Sequence, residues 1–411
     1  MKIKSEKIFV IISITCIFCL SYPFFCGLPF IPSIFILHLL AFFSTLCYIH
    51  NVKSLKKYLY LIIYFCIIII HNQLGSVYFK SIKTIFSNFI FVFVCITLVI
   101  YILENRNIYF AKFTIIGFIL IILISTFKTL QINNIHPNIV RQATGLSYNG
   151  DDYLLKYYLA KGIETYGFAH AIPIIIPILI YNIIYNNKIY KLLYLFILIC
   201  IYLLVYLSGS AGAILMSMVI TIITIATRIN NEETKTQIIK RFPLIILIIL
   251  PFFYKNSMLF IVEKTEILTV NNRYIHPKII SLKNILLSND VTDTDIEKRS
   301  NLYNKSLYVF TRNLLIGSIG EVGGHSAILD RFATLGMIGI LPLILFGIQF
   351  FKELYLYVKD ENIKYMPFIL GMISALGILL TKSMANNDTW LVLILIMPVF
   401  VLYSNNLLIK E

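Results

Sequence analysis

Apolar residues in this chain gather into long runs, separated by short polar turns and by two long polar stretches. About twelve runs reach or approach the ~17–25 residues that a helix needs to cross a bilayer core. They fall near 8–26, 31–50, 58–72, 88–103, 109–127, 168–186, 191–208, 211–227, 242–255, 332–351, 365–381 and 389–405. Lipid offers a spanning backbone no hydrogen-bond partner but itself, so the pattern predicts α-helices. The chain then divides into five helices over 1–127, a first outer loop at 128–167, four helices over 168–255, a large outer loop at 256–331 and three helices over 332–411.

Composition and charge sharpen this picture. Hydrophobic residues make up 59% of 411 positions and mean hydropathy is +0.84, which places the chain among all-α polytopic membrane proteins rather than soluble domains. The basic start, Met1–Lys7, leads into an apolar run with no small-residue cleavage site, so it reads as a retained first helix. The inner segments carry 17 of the 35 basic residues, and the short outer loops carry only Lys80, Lys83 and Lys382. That asymmetry puts both termini in the cytoplasm and both long loops outside. The net charge of +15 follows largely from this topology and suits anionic lipid, so nucleic acid is not an expected partner. All seven cysteines lie in or beside apolar runs, so no disulfide framework is visible.

Candidate chemistry lies in the outer loops. In 256–331, Thr294 and Glu297 make a capping-box pair ahead of a helix expected over 295–312. On it, Ile296, Arg299, Tyr303, Leu307 and Phe310 fall on one face. A glycine-rich segment (Gly317, Gly320, Gly323, Gly324) follows, and a second helix is expected near His325, with His325, Leu329, Phe332 and Leu335 on its apolar face. An arginine and a histidine on neighbouring apolar stripes suit an anionic ligand at the lipid surface. The same pattern also fits an Arg299 lying along its helix with its head in water, and a His325 that merely marks the boundary. The first outer loop holds His136, Arg141, Asp151, Asp152, Lys156, Tyr157, Tyr158 and Lys161, and closes with Tyr166-Gly167-Phe168-Ala169-His170. Its aromatics suit sugar rings or an interfacial belt. Arg141, the only arginine there, offers a guanidinium fork that matches diphosphate oxygens. Asp293-Thr294-Asp295 has a spacing that binds divalent cations in many sugar transferases, but helix capping accounts for it, and no metal is expected. No phosphate-binding Gly-Lys loop, zinc spacing or nucleotide fold is present, so no cofactor is expected.

Three strings carry a resemblance: Arg299-Ser300-Asn301-Leu302-Tyr303, then Asn313-Leu314-Leu315-Ile316-Gly317, then Gly324-His325-Ser326 followed nine residues later by Gly336-Met337-Ile338-Gly339. Together they resemble the O-antigen polymerase and ligase superfamily, closest to the Wzy-type repeat-unit polymerases of capsular and exopolysaccharide synthesis. Tyr166–His170 is similar to a further segment of that group. The chain departs from the pattern at Leu314, where relatives carry proline, and at Ala171-Ile172, which replaces Pro-Asn. It also departs at Ala211, where many relatives carry an arginine that Arg273 could replace.

The resemblance implies a GT-C-like fold of about twelve spans in a bacterial cytoplasmic membrane. It further implies metal-independent, cofactor-free transfer of an undecaprenyl-diphosphate-linked oligosaccharide to the terminal sugar of another lipid-linked repeat unit, on the outer face. His325 and Arg299 would be catalytic, and Arg141, Arg273, Tyr303 and His170 would bind substrate. A chain-length regulator and a flippase are the implied protein partners. An O-antigen ligase moving finished polymer to another acceptor shares the motif. A lipid-linked oligosaccharide transporter is the alternative from another class, but carriers usually line their pathway with ionisable residues inside the spans.

Overall fold

The computed structural model describes residues 2–26, 33–51, 59–76, 81–135, 140, 157–185, 188–227, 255–270, 276–288, 295–359, 366–382 and 387–409. Among these residues the chain is all-helical. We number the helices α1 (Lys2–Ser21), α2 (Ile34–Tyr48), α3 (Leu59–Gln73), α4 (Ile82–Glu104), α5 (Ile108–Asn133), α6 (Tyr166–Tyr185) and α7 (Lys188–Leu207). There follow α8 (Ala211–Ala226), α9 (Lys255–Thr269), α10 (His276–Ser288), α11 (Asp295–Arg312), α12 (Ala327–Lys359), α13 (Met366–Thr381) and α14 (Asn387–Ser404).

Every predicted run that falls on described residues coincides with a helix; most of the run at 242–255 lies outside them. Among the described residues, six helices are long and apolar enough to cross a membrane: α4, α5, α6, α12, α14 and the Tyr190–Leu207 part of α7. The runs at 31–50, 58–72, 211–227 and 365–381 form helices of 15 or 16 residues. At 1.5 Å per residue these reach about 23 Å, short of a ~30 Å hydrocarbon core.

The helices α4, α6 and α14 are the most buried and form the centre of the bundle. Polar side chains inside the apolar helices are handled locally. Thr97 donates to the Phe93 carbonyl at 2.8 Å, Thr114 to Phe110 at 2.9 Å and Thr224 to Ile220 at 2.6 Å. Each of these three hydroxyls thus bonds one turn back along its own helix, which pairs it inside an apolar interior.

Segments expected to face outward meet at one end of the bundle. Tyr303 of α11 donates to the Thr381 carbonyl at the end of α13 (2.8 Å). The Ala327 amide, at the start of α12, donates to the Lys382 carbonyl (3.0 Å). The Tyr166 hydroxyl reaches Ser210 before α8 (3.3 Å), and Thr165 donates to Asp388 at the start of α14 (2.8 Å).

Candidate functional site

The site is built at the junction of α11 and α12. Ser326 caps α12, accepting from the Leu329 amide at 3.1 Å. One turn on, Asp330 is fully buried and turns its carboxylate back toward the loop. Its Oδ1 accepts from the Ser306 hydroxyl (2.6 Å) and the Gly324 amide (3.1 Å), and its Oδ2 accepts from the Ser326 amide (3.1 Å). Ser306 in turn accepts from the Gly323 amide at 2.9 Å. The Gly323–Ser326 loop is therefore held by a buried carboxylate and a buried hydroxyl. Gly323 lies so close to α11 that a Cβ there would overlap the Leu302 carbonyl.

A second device fixes the same loop from the other side. Gly336 interrupts α12 with φ 63° and ψ −174°. The nine residues between Ser326 and Gly336 are thus a short helix of their own, bounded by a cap and a break. The amides freed at the break find partners in the preceding turn: Met337 donates to Leu314 (2.9 Å) and Ile338 to Leu315 (3.0 Å). Ser318 donates to the Ala333 carbonyl (3.0 Å). Gly317 (φ 79°) lies directly against Gly336. A side chain on either would collide with the other's backbone, so the two motif segments interlock main chain to main chain. Leu314, Leu315, Ile316 and Ile319 of this turn are exposed.

His325 differs from its expected place. It is not on the apolar face of α12 but in the loop one residue before the cap, and it is exposed. The loop carries it out because Ser326, not His325, supplies the capping oxygen. Its Nδ1 lies 3.3 Å from the Gly324 carbonyl. The tautomer that donates there leaves the Nε2 lone pair available. Partial burial, and after it the nearby Arg299 guanidinium, hold the imidazole pKa below its ordinary value of 6.5. Lys382 acts in the same sense and Asp330 opposes it. At neutral pH the ring is a neutral base among cations.

The helix α11 covers 295–312 as expected, but its buried side is different. Ser306 is 1% exposed whereas Leu307 is 44% exposed. The interface is centred on a hydroxyl because Asp330 and the Gly323 amide need hydrogen bonds there. Arg299 and Tyr303 are half-buried on that side, and the Tyr303 phenol is pushed up by burial while Arg299 pulls it down. The structure therefore brings His325, Arg299 and Tyr303 together.

It adds three residues that sequence patterns passed over. Asp330 and Ser306 carried no signal beyond their spacing from Ser326 and Arg299. Lys382 stood out only as one of three basic residues in short outer loops; its side chain lies 3.2 Å from where a Cβ on Gly212 would sit, against the first turn of α8.

His170 lies elsewhere. It is 1% exposed, its Nδ1 meets the Tyr166 carbonyl at 2.8 Å, and its Nε2 meets the Ser210 hydroxyl at 2.7 Å. Ser210 also caps α8. The imidazole thereby ties α6 to the turn before α8 inside the bundle. Arg141 and Arg273, together with the Asp293-Thr294 half of the acidic pair and the Thr294 cap, lie outside the described residues. No family model matches the chain, and no curated protein matches it.

Proposed function

We propose that this chain is a membrane glycosyltransferase of the bacterial envelope that joins polyprenyl-diphosphate-linked oligosaccharide repeat units on the outer face of the cytoplasmic membrane. The observation that carries the reading is His325, exposed at the end of the bundle, kept neutral, and flanked by Arg299 and Lys382. In the proposed step, the acceptor sugar hydroxyl attacks the anomeric carbon of the donor. The bond from that carbon to the diphosphate oxygen breaks, and the lipid diphosphate leaves with the electron pair. The hydroxyl proton passes to Nε2 of His325, which requires the unprotonated ring. Arg299 and Lys382 meet the charge that grows on the leaving group. The buried Asp330–Ser306 frame holds the base in place between turnovers.

Loss of a base of this kind costs about 10²–10⁴ in rate, and loss of a charge stabiliser about 10²–10³. The test is a surface-glycan ladder from cells carrying His325→Ala or Arg299→Ala at normal protein level, with lipid-linked intermediates followed in parallel. The reading expects the ladder to collapse to single repeat units. Long lipid-linked polymer that is no longer attached to its acceptor would replace it with a ligase. An unchanged ladder would return His325 and Arg299 to structural roles.

A further inference from the structure

Four neighbouring helices carry charge-free stretches of similar and unusually short length. α3 packs on α12, where a Cβ on Gly339 would lie 3.3 Å from Ile67. α13 meets the start of α12 through the bond from the Ala327 amide to the Lys382 carbonyl. α8 packs on α13, where a Cβ on Gly377 would overlap the Met216 methyl. In sequence α3 follows Lys56 and Lys57, and it is free of charge from Leu59 to Ile70, ahead of His71. At 1.5 Å per residue that is about 18 Å. α8 runs from Ala211 to Ala226, about 24 Å, with Arg228 soon after. α13 is free of charge from Met366 to Leu380, about 22 Å, between Lys364 and Lys382. α12 is longer, but Gly336 breaks it. Past the break it is free of charge from Met337 to Phe351, again about 22 Å, before Lys352.

An ordinary hydrocarbon core is about 30 Å thick. A terminal lysine lengthens a short helix by reaching outward, but each of these four helices is closed at one end in another way. His71 of α3 is 6% exposed, so its side chain turns into the protein. Ser210 is buried and caps α8. The break in α12 is a glycine, and the amides beyond it are held by the Leu314 and Leu315 carbonyls. Lys382 after α13 lies against Gly212. All four helices also present large apolar side chains outward: Ile63 and Ile70 of α3, Leu215 and Ile225 of α8, Ile348 of α12 and Ile373 of α13. A helix too short for its bilayer either thins it or hides behind other protein, and tilting only shortens the span further. We propose that this flank fits a hydrocarbon layer of about 22 Å, so that the bilayer is pinched where it meets α3, α8, α12 and α13. The pinch falls on the flank that carries the Gly323–Ser326 loop, from which α12 starts. The inference rests on the reading of the chain as membrane-embedded, and does not require glycosyl transfer at His325.

The test varies the bilayer and reads no turnover. The full chain is placed in nanodiscs of monounsaturated phosphatidylcholine with chains of about 14, 18 or 22 carbons, and thermal unfolding is followed in each. The melting temperature should be highest in the shortest chains and fall as they lengthen. Cryo-electron microscopy in the middle discs should show a lipid layer beside α3 and α13 about 8 Å thinner than at the disc rim. Lys352→Leu combined with Glu353→Leu removes the charged boundary of α12 and extends its charge-free part to Val358, about 33 Å. This variant should shift the preferred chain length upward. If it fails to fold, the two wild-type measurements decide the matter. Equal melting temperatures in the three discs, or a layer of uniform thickness around the protein, would overturn the proposal. So would a second copy of the chain covering α3 and α13, which would hide the short helices from lipid instead.

Discussion

Arg299 has two separable effects on His325. In the proposed reaction it stabilises charge on the leaving group, and in the structure it depresses the imidazole pKa, second only to burial. A base with a pKa below 6.5 stays active down to that pH, so activity should fall only on the acid side of 6.5. Removing the cation should let the pKa climb. Arg299→Gln is therefore expected to move the acid limb of the pH–rate profile upward, in addition to lowering the plateau. Asp330→Asn removes a charge that favours the protonated ring, and should move the same limb downward. Profiles of lipid-linked polymer formation between pH 5 and 8, normalised to their plateaus, separate the two. Limbs that stay fixed in both variants would mean that His325 does not titrate in the rate-limiting step.

At the scale of elements, the interrupted α12 decides the shape of the site. Gly336→Ala would place a methyl group against the Leu315 carbonyl and the Gly317 amide, in a backbone conformation that alanine rarely adopts. The expected cost exceeds ~2 kcal/mol, seen as a lowered melting temperature in detergent and loss of the glycan ladder. A variant that melts like the wild type would show that the interlock with 313–318 is dispensable. Much of this region is legible from sequence, and the reasons for the misses are physical. The helix at 295–312 and the motif spacing from Ser326 to Gly336 follow from local signals. Hydrophobic periodicity then selects the Leu307 side of α11, because it counts apolar residues and cannot see that Ser306 and Asp330 form a polar seam. The pairing of Leu314 and Leu315 with Met337 and Ile338 is main chain to main chain, and leaves no trace in side-chain pattern beyond the two glycines.

For the molecule as a whole, α5, the start of α6 and α14 are joined through two buried acids, Glu164 and Asp388. Glu164 accepts from Ser125 of α5 and from the Thr165 amide at 2.9 Å, while the Thr165 hydroxyl donates to Asp388 of α14. Burial, with help from the Asp388 charge, pushes the Glu164 carboxyl up to about 8. The unfolded chain would release this proton near the ordinary value of 4.5. Between these values the folded state holds more protons than the unfolded one, so stability falls as pH rises from 4.5 toward 8. Glu164→Gln imitates the protonated form and should melt higher than wild type above pH 8, with the gap closing at acid pH. A gap that does not change with pH would rule out titration at Glu164. The positions of the helices across the chain are legible because runs of apolar residues are a one-dimensional signal. The meeting of Lys382 with Gly212, and of Thr165 with Asp388, is not, since each joins residues more than 150 positions apart. The loop before α12 is framed by backbone and by two buried polar groups, while the side chains at 314–316 and 319 point outward. Such a division permits rapid drift of the outer residues over a fixed frame. A saturation library across 313–326 should accordingly tolerate change at Ile316 and Ile319 and reject it at Gly317 and Gly323; for the proposed transfer, the tolerant positions are handles for retuning acceptor choice.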